Sequence, residues 1–280
     1  MELDSPALRN AVQSLASQAL PAFGIALTTL IAVVCAVWWL VQRYGVRHET
    51  SRFTPLAYLL GYLALGFVLV IGAAALFAEI AENLGDGRKL GELDQLFSDT
   101  LLSSVPLAAL QVFAALTHFG DTFTLASLCI GGALALLWQR RYSLCAGWVV
   151  AISGNAVLNW AIKNIFERTR PVHDNVLAFA DGWSFPSGHA SGSVVAYGML
   201  AYLLVRLLPA AWAHLRLPVV ALAAALAFTV GCSRVFIQVH FATDVLAGFT
   251  SGLAWLAVCI GALELARYRQ HGWGRMATST

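Results

Sequence analysis

Seven long stretches without a charged residue constrain this chain more than any other feature: residues 10–42, 54–78, 122–139, 143–162, 190–205, 217–233 and 245–263. A helix needs about 20 apolar residues to cross a hydrocarbon core roughly 30 Å thick, and each stretch reads as one crossing. A soluble domain of 280 residues would require far more polar surface than a chain that is 59% hydrophobic and 11% charged can supply. The expected fold is all-α, a polytopic bundle of about six to seven transmembrane helices. Residues 100–117 are a further apolar candidate, but Ser103, Ser104, Pro106 and Gln111 suit an interfacial or re-entrant helix better than a crossing.

Seven crossings divide the cations unevenly. One side receives Arg43, Arg47, Arg52, Arg140, Arg141, Arg206, Arg216, Arg267, Arg269 and Arg275. The other receives Arg9, Arg88, Lys89, Lys163, Arg168, Arg170 and Arg234, with nearly all the acids. The positive-inside rule makes the arginine-rich side and the C-terminus cytoplasmic, with the N-terminus opposite. The N-terminus makes a poor signal peptide, since Glu2 and Asp4 offset Arg9 and the apolar run that follows is too long, so an uncleaved anchor is expected. Residues 79–99 carry six acids and two bases and read as a solvated amphipathic helix or loop. Cys35, Cys129, Cys145, Cys232 and Cys259 lie inside apolar runs without metal-like spacing and read as small buried side chains. A net charge of +2 gives no case for a nucleic-acid partner.

Three clusters, each where an apolar run meets a polar loop, carry the chemistry. In the first, Asn155, Asn159 and Lys163 follow at spacings of four, a polar stripe on one helical face. The asparagines suit interhelical hydrogen bonds. Lys163, followed by Arg170 and Pro171, suits a pair of cations aimed at one anion, the lysine as a point charge and the arginine as a planar fork. Arg168 between them reads as a surface or headgroup contact. In the second cluster, Pro186-Ser187-Gly188-His189 opens a helix. Serine caps, glycine lets a ligand approach the backbone, and the free N–H groups of the first turn favour an anion within reach of His189. The third runs from Ser233 and Arg234 to His240 and Asp244. A spacing of four puts imidazole and carboxylate on one helical face, so that Asp244 accepts a hydrogen bond from His240, fixes its tautomer and frees the other nitrogen to attack. An ordinary ion pair or a metal site would use the same residue types, but no further ligand lies nearby in the sequence. Trp183 and Phe185 read as interfacial anchors beside a short loop that leaves the pocket open to the bilayer.

Lys163, six residues, then Arg170-Pro171; Pro186-Ser187-Gly188-His189; and Ser233-Arg234, five residues, His240, three residues, Asp244 together resemble the three-part signature of the type 2 phosphatidic acid phosphatase (PAP2) superfamily. The resemblance implies a phosphatase core over residues 93–266, preceded by a membrane region over 1–92 with two crossings and followed by a cytoplasmic tail over 267–280. It implies a lipid phosphate or pyrophosphate phosphatase of a bacterial inner membrane, working without metal or cofactor, and the arginine distribution puts its three clusters on the periplasmic or extracellular side. His240 would be the nucleophile that forms a phosphohistidine, Asp244 its orienting partner and His189 the general acid. Lys163, Arg170, Arg234, Ser187 and the Gly188 N–H would hold the phosphoryl oxygens. Undecaprenyl pyrophosphate, phosphatidylglycerophosphate, phosphatidate and lipid A phosphate are the substrates the family suggests. A phosphotransferase using the same histidine, a vanadium haloperoxidase and a membrane transporter are the alternatives. The sequence leaves the oligomeric state open, and Gly248 and Gly252 suit close packing of two helices of one chain.

Overall fold

The computed structural model describes residues 6–45, 55–84, 89–171 and 181–277. Helices α1 (Pro6–Ser17), α2 (Ala19–Leu40), α3 (Pro55–Glu82), α4 (Lys89–Ser104), α5 (Leu107–Leu116), α6 (Thr122–Trp138), α7 (Tyr142–Phe166), α8 (Gly188–Leu207), α9 (Arg216–Phe236) and α10 (Ala242–Ala277) follow in order. No strand occurs among the described residues. Seven helical stretches there are long and apolar enough to cross a membrane: Ala19–Arg43, Leu63–Glu82, Leu107–Trp138, Tyr142–Phe166, Gly188–Leu207, Ala210–Phe236 and Ala242–Arg269. The chain is therefore an all-helical integral membrane protein, as its apolar runs indicate.

Local chemistry sets where the helices begin and end. Pro55 and Pro6 occupy first helical positions, where a missing N–H costs nothing. Ser187 caps α8, its hydroxyl accepting from the Ala190 N–H at 3.4 Å. At the other end of α8, Leu208 is extended beside Pro209, which disfavours a helical conformation in the residue before it. Helix α7 closes on Glu167 at φ 45°, a left-handed turn whose N–H returns to the Lys163 carbonyl at 3.1 Å. That reversal sends Arg168 and Arg170 back over the helix end.

Helix α8 is the interior element, packed by α7, α9 and α10, with α3 outside α10. Glycines set the close approaches. A Cβ on Gly248 would lie 2.6 Å from the Ser187 carbonyl and one on Gly252 2.9 Å from that of Ser191, so both pack α10 on α8 within the chain. Trp148, fully buried, donates its indole N–H to the Cys129 carbonyl at 2.8 Å and fills the space that a side chain at Gly132 would need.

At the end of the bundle where the clusters meet, Ala19, Leu101, Val105, Leu110, Phe113, Phe236 and Ile237 form a separate core that gathers α2, α4, α5 and α9. Helix α5 spans about 15 Å, too little to cross on its own, and the chain breaks at Asp121 before α6. Three expectations change here. The first run is two helices, α1 and α2, joined at Gln18. Residues 79–99 are not simply solvated, because α4 turns Asp94 and Ser98 into the protein, 5% and 3% exposed. Phe185 is no interfacial anchor: it is 0% exposed against Phe77, Phe166 and Ala247. Arg47, Arg52 and Arg88, with residues 172–180 of the loop, lie outside the described residues, as does the Arg275 side chain.

Candidate active site

The polar stripe of α7 turns toward α8. Asn155 and Asn159 donate to the Ser191 hydroxyl at 3.4 and 3.2 Å, the interhelical bonding expected of them. One turn on, Lys163 donates to the Trp183 and Ser184 carbonyls and is thereby drawn over the loop that leads into α8. Arg170 reaches the same loop from the other side. Its Nε and Nη2 donate to the carbonyls of Gly182, Asp181 and Trp183 at 3.0, 3.0 and 3.2 Å. Its Nη1 lies 2.7 Å from the Val239 carbonyl and 3.0 Å from His240 Nε2.

That last contact fixes the state of His240. A guanidinium only donates, so Nε2 must carry the lone pair and the ring proton sits on Nδ1. The ring is 3% exposed. Burial pushes its pKa down to about 3, helped by Arg170 and Arg234 and opposed by Asp244, so the imidazole is neutral at neutral pH.

Nδ1 does not bond Asp244 directly, contrary to the sequence expectation. His240 precedes α10, off the helical face that carries Asp244, and Nδ1 lies 3.5 Å from Asp244 Oδ2, at the limit of a hydrogen bond. Ser184 Oγ bridges them, 3.3 Å from Nδ1 and 2.5 Å from Oδ2. Asp244 is 0% exposed and accepts in addition from the Phe241 N–H at 2.9 Å and from Arg168 Nη1 at 2.6 Å. The Phe241 contact is the half of a capping box in which an acid in the first turn satisfies the N–H just before the helix. The Asp244 carbonyl accepts from the Ser187 N–H at 2.9 Å, which joins the second and third clusters through the backbone.

Arg168 is likewise not a surface residue. Its side chain is 11% exposed and lies between Asp244 and Asp94, with Nη2 2.9 Å from Asp94 Oδ2 and its guanidinium 4.2 Å above the Phe241 ring. Asp94 also accepts from the Thr243 hydroxyl and N–H. Burial raises the Asp94 pKa, with Arg168 pulling it back down.

His189, in the first turn of α8, sets Nε2 2.9 Å from Asp121 Oδ1, and Asp121 Oδ2 lies 2.7 Å from His118 Nδ1. Arg234, 5% exposed near the end of α9, donates to the Thr117 hydroxyl at 2.9 Å, and its Nε has no hydrogen-bond partner among the described residues. Lys163, Arg170, Gly188, His189, Arg234 and His240 all line one cavity of about 990 Å³. Ser187 and Asp244 stand behind that lining, both fully buried. Away from the cations the cavity wall is apolar, made by Leu125, Ala126, Ile130, Ile152, Ala156 and Trp160 of α6 and α7. Ile130 and Trp160 are 61% and 68% exposed on the outside of the bundle.

The arrangement is suited to an anion. Three cations and three imidazoles, those of His118, His189 and His240, line one space, and among the described residues no three His, Cys, Asp or Glu side chains converge as metal ligands would. Sequence reasoning missed Ser184, Asp94, Thr243, Thr117, Asp121 and His118. Ser184 had a weak signal, standing three residues before Ser187 at the mouth of the second cluster. Asp94 had none, being one acid among several on a charged helix.

The chain is similar in sequence and in fold to known proteins. The family model for the PAP2 superfamily matches residues 142–267. Phosphatidylglycerophosphatase B of Bacillus subtilis is 34% identical over 167 residues, 57% of this chain and 78% of that protein. Decaprenylphosphoryl-5-phosphoribose phosphatase of Mycolicibacterium smegmatis is 32% identical over 138 residues, 48% of this chain and 68% of that protein. The crystal structure of a transmembrane PAP2 type phosphatidylglycerolphosphate phosphatase from Bacillus subtilis superposes with a TM-score of 0.65 at 27% identity, covering 70% of this chain and 96% of that one.

Proposed function

We propose that this chain, which belongs to the PAP2 superfamily and is a phosphoester hydrolase of that type, removes a phosphate or pyrophosphate from a membrane lipid through a phosphohistidine and without a metal. The observation that carries the reading is the two-ended cavity, with cations and His240 at one end and an apolar wall between α6 and α7 at the other. A headgroup phosphate fits the first and an acyl or prenyl tail the second. The named substrates of the two relatives, one a phosphatidylglycerol lipid and the other a decaprenyl lipid, suit such a division.

His240 Nε2 attacks phosphorus with its lone pair, and Arg170 exchanges its bond to Nε2 for one to a phosphoryl oxygen. The bond from phosphorus to the leaving oxygen breaks, its electrons go to that oxygen, and His189 supplies the proton. Asp244, acting through Ser184, holds the Nδ1 proton while the ring carries positive charge. Water then attacks the phosphohistidine, His189 takes a proton from it, and the lone pair returns to Nε2. Lys163, Arg170 and Arg234, with the Gly188 N–H, neutralise the oxygens, the work a metal ion does elsewhere. Ser187 serves this cradle by capping α8. The functional unit we assign is 93–266, since Asp94 braces Arg168 from within it.

Phosphate release by the purified protein in mixed micelles with excess EDTA tests the proposal, with phosphatidylglycerophosphate, phosphatidate and a prenyl pyrophosphate as substrates. Release that His240→Ala abolishes is expected. Activity that EDTA removes and a divalent cation restores would overturn the metal-free mechanism, and a folded protein that releases phosphate from none of them would point to a phosphotransferase.

A further inference from the structure

We infer that Asp121 is the positioning residue of the His189 acid, holding the imidazole by one nitrogen so that the other faces the substrate, with His118 as the outer brace on the carboxylate. This rests on His189 being the acid, the role proposed above. A carboxylate only accepts, so the Nε2 bonded to Asp121 Oδ1 at 2.9 Å carries a proton and Nδ1 is the nitrogen left for acid and base work. His118 donates to the other oxygen at 2.7 Å, which leaves Asp121 two imidazole partners and one orientation. When His189 gains a second proton, the positive ring lies directly against this carboxylate.

The turn that carries Asp121 is fixed on several sides. Tyr197 of α8 donates to the Phe119 carbonyl at 2.6 Å, Arg234 of α9 bonds Thr117 at 2.9 Å, and Thr124 of α6 bonds the His118 carbonyl at 2.7 Å. Gly120 lets the ring lie against the backbone, since a Cβ there would sit 2.9 Å from His189 Cδ2 and 2.4 Å from Val230. Among the described residues, Asp121 and His118 from this turn, Cys129 from α6, Arg234 from α9, Arg170 from the segment after α7, Lys163 from α7 and His240 before α10 are the charged and titratable groups that share the cavity with His189, with Asp181 further along the lining. The cations oppose a positive His189 ring, and Asp121 is the carboxylate in contact to offset them.

The test is the pH dependence of kcat on two phosphate monoesters, a short-chain phosphatidate and p-nitrophenyl phosphate. The first needs a proton on its leaving oxygen and the second, an activated phenol, largely does not. Asp121→Asn is expected to lower kcat on the phosphatidate at least about tenfold and to move the alkaline limb down by about one pH unit, with a much smaller loss on the aryl ester. His118→Ala, at an exposed residue, frees the carboxylate for His189 and should move the same limb upward, which keeps the inference testable should Asp121→Asn fail to fold. Equal losses on both esters with unmoved limbs would overturn it. His189→Ala separates the two assignments: if its loss is the same on both esters, His189 is not the acid. If its loss depends on the leaving group and that of Asp121→Asn does not, only the role of Asp121 fails.

Discussion

Arg168 shows how much a single side chain can decide out of sight of the substrate. It lies between two buried carboxylates, 2.9 Å from Asp94 and 2.6 Å from Asp244. Removing one partner of a buried ion pair costs on the order of 3–5 kcal/mol, because the charge left behind has neither water nor a counterion. Arg168→Gln should therefore lower the melting temperature in detergent sharply, and adding Asp94→Asn should recover part of the loss. An Arg168→Gln protein that melts like wild type but is inactive would mean that the network acts on chemistry alone. His240 makes a second prediction at this scale. Its pKa is about 3 in the folded protein against 6.5 in an open chain, so the unfolded state binds the proton first as pH falls. The stabilisation is complete above 6.5 and is lost progressively as pH falls toward 3. The wild-type melting temperature should thus fall more steeply between pH 6.5 and 4 than that of His240→Gln, and parallel curves would contradict a neutral buried ring. His189, His240, Lys163 and Arg170 were legible in the sequence because their spacing is local and their chemistry unusual beside apolar runs. Asp94 and Ser184 were not, because their partners are remote in the chain or belong to another helix, and a carboxylate among solvated carboxylates carries no mark of the guanidinium it will meet.

Among the elements, the crossings were legible because apolar length alone defines them. The short helices were not: α1 buries a face mainly against α4 and α5 mainly against α9, and a sequence does not show which partner will cover an apolar face. The pair α6 and α7 gives the element-scale prediction. Ala156 lines the apolar wall of the cavity from α7, one turn from Asn159 and away from the cations. A tryptophan there would fill the space assigned to the tail while leaving Lys163 and His240 in place. Ala156→Trp should raise KM for a long-chain lipid phosphate roughly tenfold or more, given about 1–3 kcal/mol for overpacking, and leave a water-soluble aryl phosphate nearly unaffected. An equal loss on both substrates would mean that the tail lies elsewhere or that the substitution has reached the catalytic end.

For the whole molecule the question is which way the bundle faces. Among the described residues Arg43, Arg140, Arg141, Arg206, Arg216, Arg267 and Arg269 lie at or just beyond the ends of the crossings remote from the cavity. Positive charge flanking membrane helices favours the cytoplasmic side, worth more in short loops than any excess of acids opposite, so the rule predicts that the cavity opens on the outer face. The cations at the cavity end do not weaken that prediction, because Lys163, Arg170 and Arg234 of the lining and Arg168 behind it are held by carbonyls, hydroxyls and carboxylates inside the protein. A cysteine scan in spheroplasts measures the orientation directly. Phe119→Cys, in the exposed turn beside the cavity, should react with a membrane-impermeant maleimide in intact cells. Gln139→Cys, at the far end of α6, should react only after permeabilisation. The parent protein serves as the control, since its five cysteines lie within the apolar helices. The reverse labelling pattern would put the phosphatase on the cytoplasmic side, where its lipid would be dephosphorylated in the inner leaflet, and would mean that the arginine bias of this chain does not govern its insertion.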